Sequence, residues 1–437
     1  MSRLILTALA VIALTAPARA AVDIQNVTSP GGITAWLVEE HSIPFVALEI
    51  RFKGGASLDA PGKRGAINLM TGLIEEGAGE LDARGFAAAQ EALAATYKFD
   101  VYDDALSVSA RFLTENRDQA VALLKSALTE PRFDPDAVER VRGQVLSIIR
   151  SDAKDPDEIA RAAFNGMVYG AHPYGTSSNG TLESVSALTR DDIVAANRGV
   201  ITRDHLYVGA VGDITAEELG ALLDTLLGDL PASGAAEPAE ATLTFDGGVT
   251  VVPYETPQSV ALFGQKGLAR DDPDFFAAFV MNTVLGAGGF DSRLMTEVRE
   301  KRGLTYGVYS YLADKDYADL MVGRVASAND RIGEAIEVIR AEWTRIAAEG
   351  VGEDELELAK TYLTGAYPLR FDGNARIAGI LVGMQLGDLP IDYAAMRNDK
   401  VRAVTMEDIK RVAARLMDPE HLTFVVVGQP EGLETTN

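Results

Sequence analysis

The chain is predicted to be an α+β protein: two homologous domains in tandem, each a mostly antiparallel sheet with helices packed on it. Three observations predict this. Thr189 to Gly212 aligns with Thr405 to Gly428 at a constant offset of 216 residues without gaps, with matches at Thr189/Thr405, Asp192/Asp408, Ile193/Ile409, His205/His421, Leu206/Leu422, Val211/Val427 and Gly212/Gly428. A repeat this long marks duplicated domains rather than a solenoid. Between the halves, residues 230–247 begin with a Pro/Ala/Gly/Glu stretch, Leu230 to Ala241, with no apolar periodicity, the composition of a linker. Within each half, strand blocks alternate with helix blocks, which argues α+β.

In the first half, taken as residues 21–229, alternation predicts strands near Ile33–Val38 and Val46–Phe52. Helical periodicity follows at 64–77 and 83–95, then strands near 97–102 and 105–112, then long helices at 115–129 and 136–165. The half closes with a capped amphipathic helix and the strand Leu206–Val211, apolar enough to be central in its sheet. The second half, 248–437, repeats the order. Strands fall near 249–253 and 259–266, helices at 272–285 and 291–302, strands at 305–312 and 318–326, helices at 329–348 and 353–370, and a last strand at Leu422–Val427.

Composition bounds the function. Arg3, the apolar run Leu4–Leu14 and Ala18-Arg19-Ala20 read as a secretory signal peptide over 1–20, too short to span a bilayer. The mature chain is expected to be periplasmic, with no membrane anchor. The absence of cysteine excludes disulfides and a lipid anchor on Cys. A formal charge of −24 argues against nucleic-acid partners and leaves basic peptides or a basic protein open.

Asn68, Thr71 and Gly72 lie on the first predicted helix, in Gly55-Ala-Ser-Leu-Asp-Ala-Pro-Gly-Lys-Arg-Gly-Ala-Ile-Asn-Leu-Met-Thr-Gly72. This stretch resembles the zinc-binding segment of the insulinase and pitrilysin metallopeptidases, the inverzincins. Active members carry His-x-x-Glu-His there, two imidazoles on one helical face with a carboxylate that activates water. Here an amide, a hydroxyl and a glycine stand in those places. The family's third ligand is a glutamate on a later helix. The matching segment, Glu139 to Arg150, has Ser147 and Ile148 at the carboxylate positions and no acid between Glu139 and Asp152. The four histidines, His41, His172, His205 and His421, are far apart in sequence, so no helical His pair replaces the motif. The resemblance therefore implies a peptidase fold that binds no metal in this chain.

The second half carries another resemblance. Leu285-Gly-Ala-Gly-Gly-Phe-Asp-Ser-Arg-Leu294, followed by Met-Thr-Glu-Val-Arg-Glu-Lys-Arg-Gly-Leu-Thr-Tyr306, is similar to the family's C-terminal signature. Gly286, Gly288 and Gly289 form a glycine-rich turn. It lacks the Lys-Ser/Thr of a P-loop and the spacing of a dinucleotide fingerprint. In the family an arginine and a tyrosine seven residues apart bind the substrate carbonyl beside the scissile bond. The matching residues are Arg299 and Tyr306. Asp291 is expected to cap a helix that Gly303 ends, placing Arg299 in its last turn and Tyr306 on the outgoing strand.

The resemblance implies the non-zinc subunit of a heterodimeric zinc endopeptidase, similar to the non-catalytic subunit of the mitochondrial processing peptidase and to paired bacterial periplasmic peptidases. A homologous partner would supply zinc, water and base. This chain would supply Arg299 and Tyr306 to a peptide substrate. The other reading is a non-catalytic peptide-binding or scaffold protein of the same fold. A neighbouring gene for a homologue with an intact motif would separate the two.

Overall fold

The computed structural model describes residues 23–436, so the signal sequence expected over 1–20 lies outside the described residues. Two sheets dominate. The first contains β1 (Gln25–Thr28), β2 (Thr34–Glu39), β3 (Phe45–Lys53), β6 (Thr96–Val101), β7 (Ala105–Leu113) and β8 (Leu206–Gly212), in the order β1-β2-β8-β3-β7-β6. The two-residue strands β4 (Gly77–Ala78) and β5 (Leu81–Asp82) make a separate ribbon. The second sheet contains β9 (Val249–Pro253), β10 (Gln258–Lys266), β11 (Val308–Lys315), β12 (Ala318–Ala328) and β13 (Thr423–Gly428), in the order β11-β12-β10-β13-β9. Each sheet is antiparallel except where the repeated strand meets its neighbour: β2 with β8, and β9 with β13, are parallel. The fold is thus the two-domain α+β arrangement that the repeat predicts.

β3 and β13 are buried on both faces, and each domain's own helices cover only one. The second cover is exchanged between halves. Helix Asn374–Leu386, from the second half of the sequence, lies on β3 and β8 of the first sheet, with Ala378 and Leu381 against Val211. Helix Pro156–Tyr169, from the first half, lies on β10 and β13 of the second, with Phe164 and Val168 against Val425 and Leu320. Close approach requires glycine: a Cβ on Gly209 would meet the Ala378 carbonyl at 2.7 Å, and one on Gly264 would meet the Phe164 ring at 3.0 Å.

Several expected boundaries move. The helix expected over 64–77 is only Ala66–Thr71, six residues, and it turns away after Gly72. The helix expected over 136–165 is two, Pro135–Asp152 and Pro156–Tyr169. Pro156 has no N–H to continue the first, and Asp155 caps the second by accepting from the Asp157 amide at 2.8 Å. The interdomain stretch is irregular but tied down. Ala241 N–H donates to the Tyr317 carbonyl, Thr244 N–H donates to the Val168 carbonyl, and Phe245 is buried.

Candidate functional site: a glycine-rich pocket beside Arg299 and Tyr306

On the short helix the zinc-motif positions are consumed by internal bonds. Asn68 Nδ2 donates to Asn179 Oδ1 at 3.2 Å, and Asn179 Nδ2 donates to Asp152 at 3.2 Å. This amide chain joins the helix to the end of Pro135–Asp152. Thr71 is buried, and its hydroxyl donates back to the Ile67 carbonyl at 2.7 Å, which leaves it unable to orient water. At Gly72 a Cβ would sit 3.2 Å from Val141, so the facing helix crowds any side chain there. Ser147 and Ile148 point to solvent.

The histidines are engaged singly. His41 bonds Asp213 at 2.8 Å and Glu39 at 3.1 Å, His172 bonds the Ala239 carbonyl, His205 faces Glu237, and His421 bonds Asp418 at 2.8 Å. Among the described residues no three His, Cys, Asp or Glu side chains are grouped to hold a metal ion. Amide, hydroxyl and glycine do not form a zinc donor set. A zinc ion therefore does not fit these residues.

The glycine-rich segment is built differently. Helix Phe275–Asn282 widens into a π turn over Thr283–Ala287. Gly286 presses against β11, where a Cβ would meet Ser310 Oγ at 2.3 Å and Ser310 N at 2.5 Å. Gly289 has φ +64°, the left-handed region that glycine adopts without strain. The next helix begins at Ser292, whose hydroxyl accepts weakly from the Met295 amide at 3.4 Å. Asp291, the expected cap, lies one residue early, in a short 3-10 turn. The helix widens to π geometry over Met295–Glu300. Gly303, φ +60°, ends it by donating to the Arg299 carbonyl at 2.7 Å. π turns inside helices occur frequently at functional sites.

Between these two turns lies an apolar pocket of about 380 Å³ lined by Gly286, Ala287, Gly289, Phe290, Met295, Gly307, Val308, Tyr309 and Ser310. Arg299 stacks on Phe290, a lining residue, at 4.7 Å from the ring centre. Its neighbours are all paired. Arg293 is bidentate to Glu355 at 2.7 and 2.6 Å, while Lys301 and Arg302 share Glu297 at 2.7 and 2.8 Å. Of the four cations between Arg293 and Arg302, Arg299 alone has no carboxylate partner among the described residues.

Tyr306 sits in the bend before β11, not on a strand as expected, because β11 starts at Val308. The bend is pinned: the Thr305 hydroxyl donates to the Ala326 carbonyl at 2.6 Å and accepts from the Gly307 amide at 3.1 Å. The Tyr306 side chain itself is 89% exposed. Neither Arg299 nor Tyr306 lines the pocket itself: Arg299 lies over the lining residue Phe290, and Tyr306 immediately precedes the lining residue Gly307. Asn68, Thr71 and Gly72 belong to the other half.

Sequence reasoning missed the aromatic wall. Phe290 is 64% exposed, and Tyr309 and Tyr311 stack on one face of β11 with centroids 6.3 Å apart. The Tyr-x-Tyr alternation, which sets both rings on one strand face, was the available signal. A guanidinium over Phe290 and an exposed phenol carry hydrogen-bond donors that a carbonyl oxygen can accept from, and the apolar trough offers surface to neighbouring side chains.

Comparisons with known proteins identify the family of this fold. The family model described as "Insulinase (Peptidase family M16)" matches residues 35–181, and "Peptidase M16 inactive domain" matches residues 187–363. A Helicobacter pylori protein described as "Non-peptidase homolog YmxG" is 27% identical over 391 residues, covering 89% of this chain and 90% of that one. The "Probable mitochondrial-processing peptidase subunit beta" of Schizosaccharomyces pombe is 24% identical over 342 residues, covering 72% of this chain and 71% of that one. The crystal structure of a peptidase M16 inactive domain from Pseudomonas fluorescens superposes with a TM-score of 0.88 at 26% identity, covering 94% of this chain and 99% of that one. With both halves matched and the zinc triplet replaced, this chain belongs to the insulinase family, peptidase family M16.

Proposed function

We propose that this chain is the substrate-holding, non-zinc subunit of a two-chain M16 endopeptidase that acts on peptides or unfolded proteins. Arg299 and Tyr306 bond the substrate carbonyl, and the Phe290/Tyr309 trough receives adjoining side chains. A homologous partner with an intact His-x-x-Glu-His supplies zinc, water and base. One observation carries this reading: among the described residues Arg299 has no carboxylate partner in a turn where every other cation is paired, beside a pocket, in a chain where Asn68 and Thr71 are internally bonded. The match to a peptidase described as a subunit supports a partner. The signal-like first twenty residues support a periplasmic location.

The similarity to a protein described as a non-peptidase homolog favours a second reading, a peptide-binding protein without catalysis. One experiment separates them. The chain is mixed with a zinc-bearing homologue from the same organism, and cleavage of several unfolded peptides is followed. The subunit reading expects a stable heterodimer whose activity neither chain shows alone. Equal cleavage by the zinc chain without this one overturns it and leaves the binding protein.

A further inference from the structure

A second cationic site lies on the outer helices of the second half, at the far end of helix Phe275–Asn282 from the pocket. Its first member, Arg270, lies over the Phe275 ring at 4.3 Å and the Tyr393 ring at 5.5 Å, and its Nη2 donates to the Tyr393 hydroxyl. Arg397 is 93% buried by its 7% exposure, between the Tyr367 ring at 4.6 Å and the Phe279 ring at 5.4 Å. Its Nη1 donates to the Leu363 carbonyl at 2.8 Å and to Asn398 at 3.0 Å. Lys400, one turn further along helix Tyr393–Ala403, stands over Phe276 at 5.5 Å. Arg370, exposed in the 3-10 turn Pro368–Arg370, adds its charge to the same two phenols.

These four cations have no carboxylate ion-pair partner among the described residues, in a chain with 64 acidic and 40 basic side chains. The contrast is local. Arg411 and Arg415 take Asp272 and Asp274, only two and four residues beyond Arg270. Asp314 feels the Arg270 charge, but it is bonded to Asp319 and to the Arg270 backbone instead. Burial, with Arg370 and Arg270 close by, pulls the Arg397 pKa down, and the opposing influences are the two tyrosines rather than an acid. Uncompensated positive charge gathered in one place is costly unless an anion joins it.

The chemistry of the groups indicates what joins it. Stacking occupies the faces of the guanidinium planes and leaves N–H edges for planar or tetrahedral oxyanions. The Tyr393 oxygen accepts from Arg270, so its own proton is free to donate. We infer that Arg270, Arg370, Arg397 and the Tyr367 and Tyr393 hydroxyls form a binding site for an oxyanion, a phosphate or a carboxylate. The site is separate from the Arg299 pocket and does not depend on its role.

Calorimetric titration of the full chain tests it, with inorganic phosphate in one arm and N-acetylglycine against its amide in another, each against chloride at equal ionic strength. Saturable one-to-one binding of phosphate, or of the acid but not the amide, is expected, and the arm that binds identifies the source. Arg370→Ala, at an exposed position that does not threaten folding, should weaken binding at least about tenfold, the equivalent of one charge-assisted bond. Arg270→Gln should act likewise. Absence of saturable binding in both arms, or unchanged affinity in a folded Arg370→Ala chain, overturns the site.

Discussion

The segment after the third strand of the first sheet and the segment after the corresponding strand of the second begin alike and end differently. After β3 the chain makes a six-residue helix whose polar positions are satisfied from within: Asn68 by Asn179, Thr71 by the Ile67 carbonyl. After β10 the helix continues into a π turn and opens a pocket, and among the described residues Arg299 and Tyr306 have no carboxylate or hydroxyl partner. A side chain whose hydrogen bonds are already made cannot bind a ligand without breaking them, whereas a free donor held in place can. On the proposed function, one copy of the duplicated fold has become structure and the other serves binding.

The largest expected effect bears on that difference directly. In the proposed heterodimer, Arg299→Ala should lower kcat/KM by on the order of 10²–10³, the cost of losing one donor to a developing oxyanion. Tyr306→Phe should cost less, since its bond is not charge-assisted. Assembly and melting temperature should not change. Steady-state kinetics beside size-exclusion chromatography check this, and near wild-type turnover with an intact complex would remove the binding role from the second copy.

Next in size is Gly286→Val. Its side chain would collide with Ser310, so β11 and the π turn must separate at a cost of about 1–3 kcal/mol. The pocket should close in the same variant. Urea denaturation read together with peptide affinity measures both, and a variant of unchanged stability would mean that the close approach of turn and strand is dispensable.

The smallest effect concerns the contact between the halves, where the β11–β12 turn meets the first half. Burial, reinforced by Asp104 and partly offset by Lys53, raises the Asp316 pKa to about 6. Unfolded, it titrates near about 3.9. The folded chain thus holds this proton more tightly, and this group's contribution to stability falls as pH rises from about 4 to about 6, then stays low. Asp316→Asn removes the change. Its melting temperature relative to wild type should therefore rise between pH 4 and pH 7.5, by about 1–2 °C for a chain this long. A difference that is flat with pH, or falls, would contradict the assignment.

How much of this was legible in sequence differs between the copies. The loss of the zinc site was legible from Asn68, Thr71 and Gly72, because ligand chemistry is a property of residue type. Gly303 as a helix end was legible too, since its position needs φ > 0 and has it. The cap at Ser292 rather than Asp291, the π widening and the placement of Tyr306 before β11 were not. Each depends on where Gly286 and Met295 pack against β11.

The sequence by itself determined the duplication, the strand and helix blocks, the absent metal ligands and the candidate pair Arg299 and Tyr306, because residue type and local periodicity carry these. Only the tertiary structure decided the exchange of helices Pro156–Tyr169 and Asn374–Leu386 between the halves. It also decided that, among the described residues, Arg299 alone in its turn lacks a carboxylate, and that Arg270 and Arg397 lie over the Tyr393 and Tyr367 rings. The physical reason is range: propensity acts over one or two turns, whereas pairing and burial depend on segments as far apart in sequence as Arg270 and Tyr393.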